Sequence, residues 1–178
     1  NLLRKDNMRL REILSLQNSS DNSDKILAAV ISRKTGSWWR QILLNKGSKD
    51  GVEIGNSVIG PGGLLGRVNN TSLFTSSVTL ITSPESKLGV WVDRIKISGL
   101  LVGLGDDSPS LILYSKDADI KVGDFVSSSP ASTLLPPNIP IGIVQSVDEP
   151  FKSKKTAKIS LLAKPQVIDW VQIIKKRI

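Results

Sequence analysis

Asp50-Gly51-Val52-Glu53-Ile54-Gly55-Asn56-Ser57-Val58 reads as a turn that opens into a strand, and Gly66-Arg67-Val68 sits in the next one. The pattern recurs further along as Asp119-Ile120-Lys121-Val122-Gly123-Asp124-Phe125-Val126, followed by Gly142-Ile143-Val144. Asp and Gly suit tight turns that need local hydrogen bonds or positive φ. In both copies, Gly-(Asn/Asp)-x-Val opens the third strand of its half, and Gly-x-Val lies in the fourth. The chain therefore reads as two related β halves.

Working outward, short segments rich in Val, Ile and Leu are bounded by Gly, Pro, Asn, Asp or Ser. They predict strands near 27–33, 39–45, 56–60, 64–69, 77–82 and 89–93 in the first half. The second half predicts strands near 97–102, 111–115, 124–128, 141–147, 156–162 and 170–174. Gly47-Ser48-Lys49-Asp50-Gly51, Gly60-Pro61-Gly62-Gly63, Asn69-Asn70 and Gly105-Asp106-Asp107 punctuate them as turns. Such spacing marks small barrels or sandwiches, not βαβ units. With aromatics only 4% of residues, the core must rest on aliphatic side chains, which favours strands.

Residues 2–17 differ in period. They lack Gly and Pro, and Leu3, Leu10 and Ile13 follow an alternating 3–4 spacing that Leu14 widens. Asp6 interrupts the seam. Two heptads are too few to be stable alone. Either the helix continues upstream as a coiled coil, making the seam a self-association device, or its stripe lies on the β-domains. Residues 18–25 form a polar linker that includes the short glycosylation-type pattern Asn18-Ser19-Ser20. The expected division is 1–25 for helix and linker, 26–95 for the first β-domain and 96–178 for the second. That boundary is approximate, because a terminal strand can cross over.

Composition narrows the chemistry. The chain has no cysteine and no histidine, which removes disulfides, Ser-His-Asp triads, Cys-His pairs and His or Cys metal sites. No cofactor or metal is implied. Gly60-Pro61-Gly62-Gly63 leads into a strand and lacks the helix N-terminus that holds phosphate. Asp106-Asp107 reads as a loop tip, and Asp117 and Asp119 as a turn with local charge pairing. Serines abound at Ser127-Ser128-Ser129, Ser76-Ser77 and Ser108, so a His-free Ser-Lys hydrolase using Lys87 or Lys116 stays open as an alternative. The net charge of +8, densest at Lys152, Lys154, Lys155 and the tail Lys175, Lys176, Arg177, allows a basic module that binds an anionic polymer. Specific nucleic-acid binding is not expected from charge alone. Trp38-Trp39 beside Arg40 heads a strand, so alternation predicts one ring inward and one outward. The outward ring and Arg40 either anchor a partner or pack an edge. Trp91 and Trp170 are expected in the core or between domains. No apolar run approaches the ~20 residues a membrane span needs, and the chain opens on Asn1, so any anchor is expected upstream.

These motifs, taken together, resemble the MreC family of bacterial rod-shape-determining proteins over nearly the whole chain. The resemblance rests on Asn7-Met8-Arg9-Leu10-Arg11 in the helix and on Ala29-Val30-Ile31-Ser32-Arg33. Its most specific part is Asn45-Lys46-Gly47-Ser48-Lys49-Asp50-Gly51-Val52. Gly63-Leu64-Leu65-Gly66-Arg67-Val68, Gly99-Leu100-Leu101-Val102-Gly103-Leu104-Gly105 and Pro137-Asn138-Ile139-Pro140-Ile141-Gly142-Ile143-Val144 follow in family order. Where the family tends to have Thr-Ser-Gly, this chain has Ser127-Ser128-Ser129-Pro130. The resemblance implies a mainly β fold, with a coiled-coil-type helix ahead of two six-stranded barrels similar to chymotrypsin-like ones without catalytic residues. It also implies a non-catalytic scaffold of cell elongation and peptidoglycan synthesis on the extracytoplasmic, periplasmic side of the bacterial inner membrane, held by an upstream span. The implied partners are a second copy in a dimer or filament, MreD, a penicillin-binding transpeptidase and, indirectly, the actin-like MreB.

Overall fold

Among the described residues, the period-2 segments fold as twelve strands behind one α-helix. The computed structural model describes residues 2–17, 25–36 and 38–175, with side chains described outside 11–17. The linker, with its Asn18-Ser19-Ser20 pattern, lies outside the described residues except at Lys25, as do Lys176 and Arg177 of the basic tail. Helix α1 spans Leu2–Gln17. The first five strands are β1 (Lys25–Thr35), β2 (Arg40–Leu44), β3 (Ser57–Gly60), β4 (Gly63–Thr71) and β5 (Ser76–Leu80). Then come β6 (Lys87–Val92), β7 (Ile97–Val102), β8 (Ser110–Leu113) and β9 (Phe125–Ser128). The last three are β10 (Pro140–Val147), β11 (Lys155–Leu161) and β12 (Trp170–Ile174). The fold is mainly β, as the sequence reading expects.

The strands close into two six-stranded barrels, in the order β1-β12-β3-β4-β5-β2 and β10-β11-β8-β7-β6-β9. The division at residue 95 does not coincide with the barrels. Strand β6 pairs with β7 and β9 and belongs to the second barrel. Strand β12 pairs with β1 and β3 and belongs to the first. Each half contributes five strands to its own barrel and its sixth to the other. The exchanged strands occupy equivalent slots, since β12 sits between β1 and β3 just as β6 sits between β7 and β9. Closure leaves neither barrel an open sheet edge.

Alternation builds the cores. Along β6, Leu88, Val90 and Val92 are buried, while Lys87 is exposed and Gly89 and Trp91 are half-buried. The first core gathers Ile42, Leu44, Val58, Leu65, Val78, Val171 and Ile173, with the last two supplied by β12. The second gathers Val90, Leu101, Leu111, Val126, Ile141 and Ile159, and is joined by Leu64 and Ile81 from the first-barrel side. The barrels thus share apolar packing at their seam. Gly60-Pro61-Gly62-Gly63 is the β3–β4 hairpin turn expected, and it abuts the second barrel. A Cβ on Gly63 would stand 2.2 Å from the Pro140 carbonyl oxygen, so only glycine allows this approach. The polar tie across the seam is Arg40, whose guanidinium donates to the Gly105 carbonyl at 3.1 Å and to Asp107 at 2.6 Å. Gln166 donates to the same Asp107 oxygen at 2.9 Å.

Candidate interaction surfaces

The duplicated turn has nearly the same geometry in both barrels. Gly55 and Gly123 adopt φ 93° and 94°, a left-handed conformation that favours glycine. Each N–H donates to the second strand after the turn, Gly55 to the Val68 carbonyl on β4 at 2.8 Å and Gly123 to the Val144 carbonyl on β10 at 2.9 Å. The next side chain then closes the turn: Asn56 Oδ1 accepts from the Glu53 N–H and Asp124 Oδ2 from the Lys121 N–H, both at 2.9 Å. Both residues are buried. They differ in charge. Arg94 donates to both Asp124 oxygens, at 2.7 and 2.9 Å, and bonds the Asp119 carbonyl. The Arg94 hydrogen bonds hold the Asp124 carboxyl below the usual carboxylate range, and the same contacts raise Arg94. Asp119 also pairs with Arg94 and Lys121, the local charge pairing expected of that turn.

On the helix, Leu3 and Leu10 are 77% and 59% exposed, and Leu2 and Met8 are exposed beside them. The side chains of Ile13 and Leu14 lie outside the described residues. Among the described side chains, a polar pair ties α1 to the first barrel. Arg9 pairs with Asp169 just ahead of β12, and Asp169 also accepts from Arg33 at 2.9 Å. Leu3 and Leu10, the described part of the stripe, are not buried against the barrels.

Trp38, Trp39 and Arg40 do not form one surface. The expectation of one inward and one outward ring fails because β2 begins at Arg40, so neither tryptophan lies in the strand whose alternation would sort them. Both are exposed, at 79% and 59%. Arg40 is 5% exposed and engaged by Gly105 and Asp107, so it holds the barrels together and is not available to a partner. Trp91 and Trp170 are half-buried and belong to neither aliphatic core.

Ser76 Oγ is buried without a hydrogen-bond partner, while the other candidate serines have structural ones. Ser127 donates to Asp93. Ser128 donates to the Pro136 carbonyl at 2.6 Å and accepts from the Ile139 N–H at 2.8 Å, while Ser129 accepts from the Ala131 N–H at 3.2 Å. These bonds fold the segment after β9, where the sequence departs from the family pattern. Ser77 and Ser108 donate to Gln41 and Gln145. None of these hydroxyls is directed at a lysine. Asp106 accepts from the Ser108 N–H, the solvated turn expected of a loop tip.

Sequence reading gave no separate role to Arg67. It lies on β4 beside Gly55, where a Cβ would come 3.5 Å from its terminal nitrogen. Its Nε is buried without a partner. Its place in Gly66-Arg67-Val68 was visible, but the burial of its Nε is a tertiary feature.

This architecture defines a class: a double six-stranded β-barrel with an exchanged strand pair, preceded by a helix that exposes Leu3 and Leu10. The family model "Rod shape-determining protein MreC, barrel core" matches residues 30–175, and the chain belongs to that family. The cell shape-determining protein MreC of Listeria monocytogenes is 31% identical over 180 residues, covering 98% of this chain. The chain spans 61% of that relative's length. A solved MreC structure superposes with TM-score 0.84 at 27% identity, covering 98% of this chain and 99% of that one. A solved complex between a penicillin-binding protein and MreC from Helicobacter pylori has TM-score 0.66 at 14% identity, covering 85% and 98%, a likeness of fold alone.

Proposed function

We propose that this chain is a non-catalytic scaffold of bacterial cell elongation, which self-associates through α1 and positions cell-wall synthesis enzymes on its barrels. The observation that carries the reading is the exposure of Leu3 and Leu10 on a helix that, among the described side chains, is tied to the barrel by the Arg9–Asp169 pair. An apolar seam left open to water gains most by pairing with its like. Ile13 and Leu14 extend that seam in sequence.

A penicillin-binding transpeptidase is the partner favoured by the Helicobacter pylori complex of an MreC protein. The exposed Trp38 and Trp39 are the proposed contact, since large aromatic rings dominate such interfaces. MreD and, indirectly, MreB complete the assembly in this reading. It works on the extracytoplasmic side of the inner membrane, held there by a span N-terminal to the barrels. A scaffold role needs no bond chemistry, in keeping with serine hydroxyls engaged by Asp93, Pro136, Gln41 and Gln145.

Sedimentation equilibrium tests the seam. Leu10→Asp places a second carboxylate between the helices beside Asp6, and the variant is expected to sediment as a monomer at concentrations where the wild-type chain associates. Unchanged self-association removes α1 from that role.

A further inference from the structure

A groove of about 370 Å³ runs where the connection from β5 into β6 passes the face of β4. Arg67 and Asn69 line one wall, with Ile54 and Gly55, and Glu85 and Lys87 line the other. Arg67 is half-buried, and its Nε is fully covered without a hydrogen-bond partner. Among the described residues its guanidinium makes no ion pair, and neither Lys87 nor Glu85 does. Covering Nε without a partner is held at a cost, and a planar oxyanion is the group that matches the remaining guanidinium donors at the groove.

The second barrel supplies an internal comparison. There the duplicated turn carries Asp124, and Arg94 grips it with two hydrogen bonds. In the first barrel the equivalent residue is the neutral Asn56, and the cation beside that turn, Arg67, has no carboxylate. Gly55 leaves the space open, since a Cβ there would face the Arg67 terminal nitrogen at 3.5 Å.

We propose that this seam groove is a binding site for a carboxylate of another polypeptide, an Asp or Glu side chain or a chain terminus, with Arg67 as its fork and Lys87 as its second cation. Glu85 discriminates against dense negative charge and leaves the groove lining with one net positive charge, from Arg67 and Lys87 against Glu85. Because the groove spans the first barrel and the segment entering the second, an occupant touches both. The inference stands apart from self-association through α1, and its failure leaves that reading intact.

The test is a titration of the full chain with acetyl-Gly-Glu-Gly-amide, followed through the Arg67 Nε–H signal and the Gly55 and Asn69 backbone amides by nitrogen-edited NMR. Acetyl-Gly-Gln-Gly-amide and inorganic phosphate are run at matched ionic strength. A saturable shift with the glutamyl peptide alone is expected. Arg67→Lys keeps the charge but loses the fork, and is expected to weaken binding about tenfold. Glu85→Gln is expected to tighten it. A linear, unsaturating response overturns the proposal, as does equal binding of the glutaminyl peptide or of Arg67→Lys. Saturable binding of phosphate in preference to the peptide also overturns it, by making the site one for phosphate.

Discussion

The two copies of the Gly-(Asn/Asp)-x-Val turn share their backbone hydrogen bonds to within about 0.1 Å and differ in what closes them. The first uses a neutral amide, the second a carboxylate paired with Arg94. The backbone solution is thus set by the left-handed glycine and a side-chain oxygen, and charge is a free variable added to it. The second barrel neutralises its charge internally, whereas the first keeps Arg67 unpaired at a groove. A repeat conserves the geometry that folding needs and lets surface chemistry diverge.

The exchange of β6 and β12 supplies the largest expected effect. Ile173 is fully buried in the first barrel, yet it belongs to the second sequence half. Ile173→Ala is expected to destabilise by roughly 2–5 kcal/mol. Because each half completes the other, the loss should be felt in both barrels. With Trp38, Trp39 and Trp170 replaced by Phe, Trp91 becomes the one tryptophan and reports the second barrel during urea unfolding. Its midpoint is expected to fall together with the circular dichroism midpoint of the whole chain. A Trp91 transition left at its original midpoint would break the picture of two interlocked barrels.

How much of this was legible in advance depends on whether the signal was local. The period-2 alternation and the Gly, Asn and Asp turns placed all twelve strands, and the 3–4 spacing placed α1, because side-chain direction and turn chemistry are properties of neighbours in sequence. Barrel membership was not legible from that alternation. Lys87-Leu88-Gly89-Val90-Trp91-Val92 declares which side is buried, not that its neighbours are β7 and β9. Arg40 was misread for the same reason, since its burial is created by Gly105 and Asp107 on a distant loop. Arg67 was legible only as part of Gly66-Arg67-Val68, and the burial of its Nε is a tertiary feature.

Intermediate effects come from the turn itself. Asp124→Ala leaves the partly buried Lys121 N–H unanswered and the Arg94 guanidinium without its carboxylate, and is expected to cost about 1–3 kcal/mol at neutral pH, with Asp124→Asn milder because the amide can imitate Asn56. The pH dependence separates the two barrels. Asp124 has its pKa lowered in the folded state, so its contribution is complete above the unfolded carboxylate value of about 3.9. The contribution is lost as pH falls through the lowered folded value. The stability gap between wild type and Asp124→Asn should therefore narrow in acid, while Asn56→Ala should show a gap that changes little there. Urea midpoints across pH 2–7 read this directly.

The smallest effect on stability is expected at the exposed tryptophans. Trp38→Ala with Trp39→Ala should shift the unfolding free energy by no more than about 0.5 kcal/mol, because neither ring is buried. Binding to a penicillin-binding transpeptidase, measured by interferometry, should nonetheless fall. Intact binding with an intact fold would remove these rings from the partner surface.

The central claim is that copies of this chain meet along the leucine seam of α1, and the absence of cysteine offers a clean test. Leu10→Cys puts the chain's sole thiol on the seam, and Met8→Cys puts it on an exposed neighbouring position away from the 3–4 stripe. Under mild oxidation, Leu10→Cys should form a disulfide-linked dimer rapidly and Met8→Cys should lag far behind. Equal rates for the two, or no dimer from Leu10→Cys, would contradict pairing through this helix.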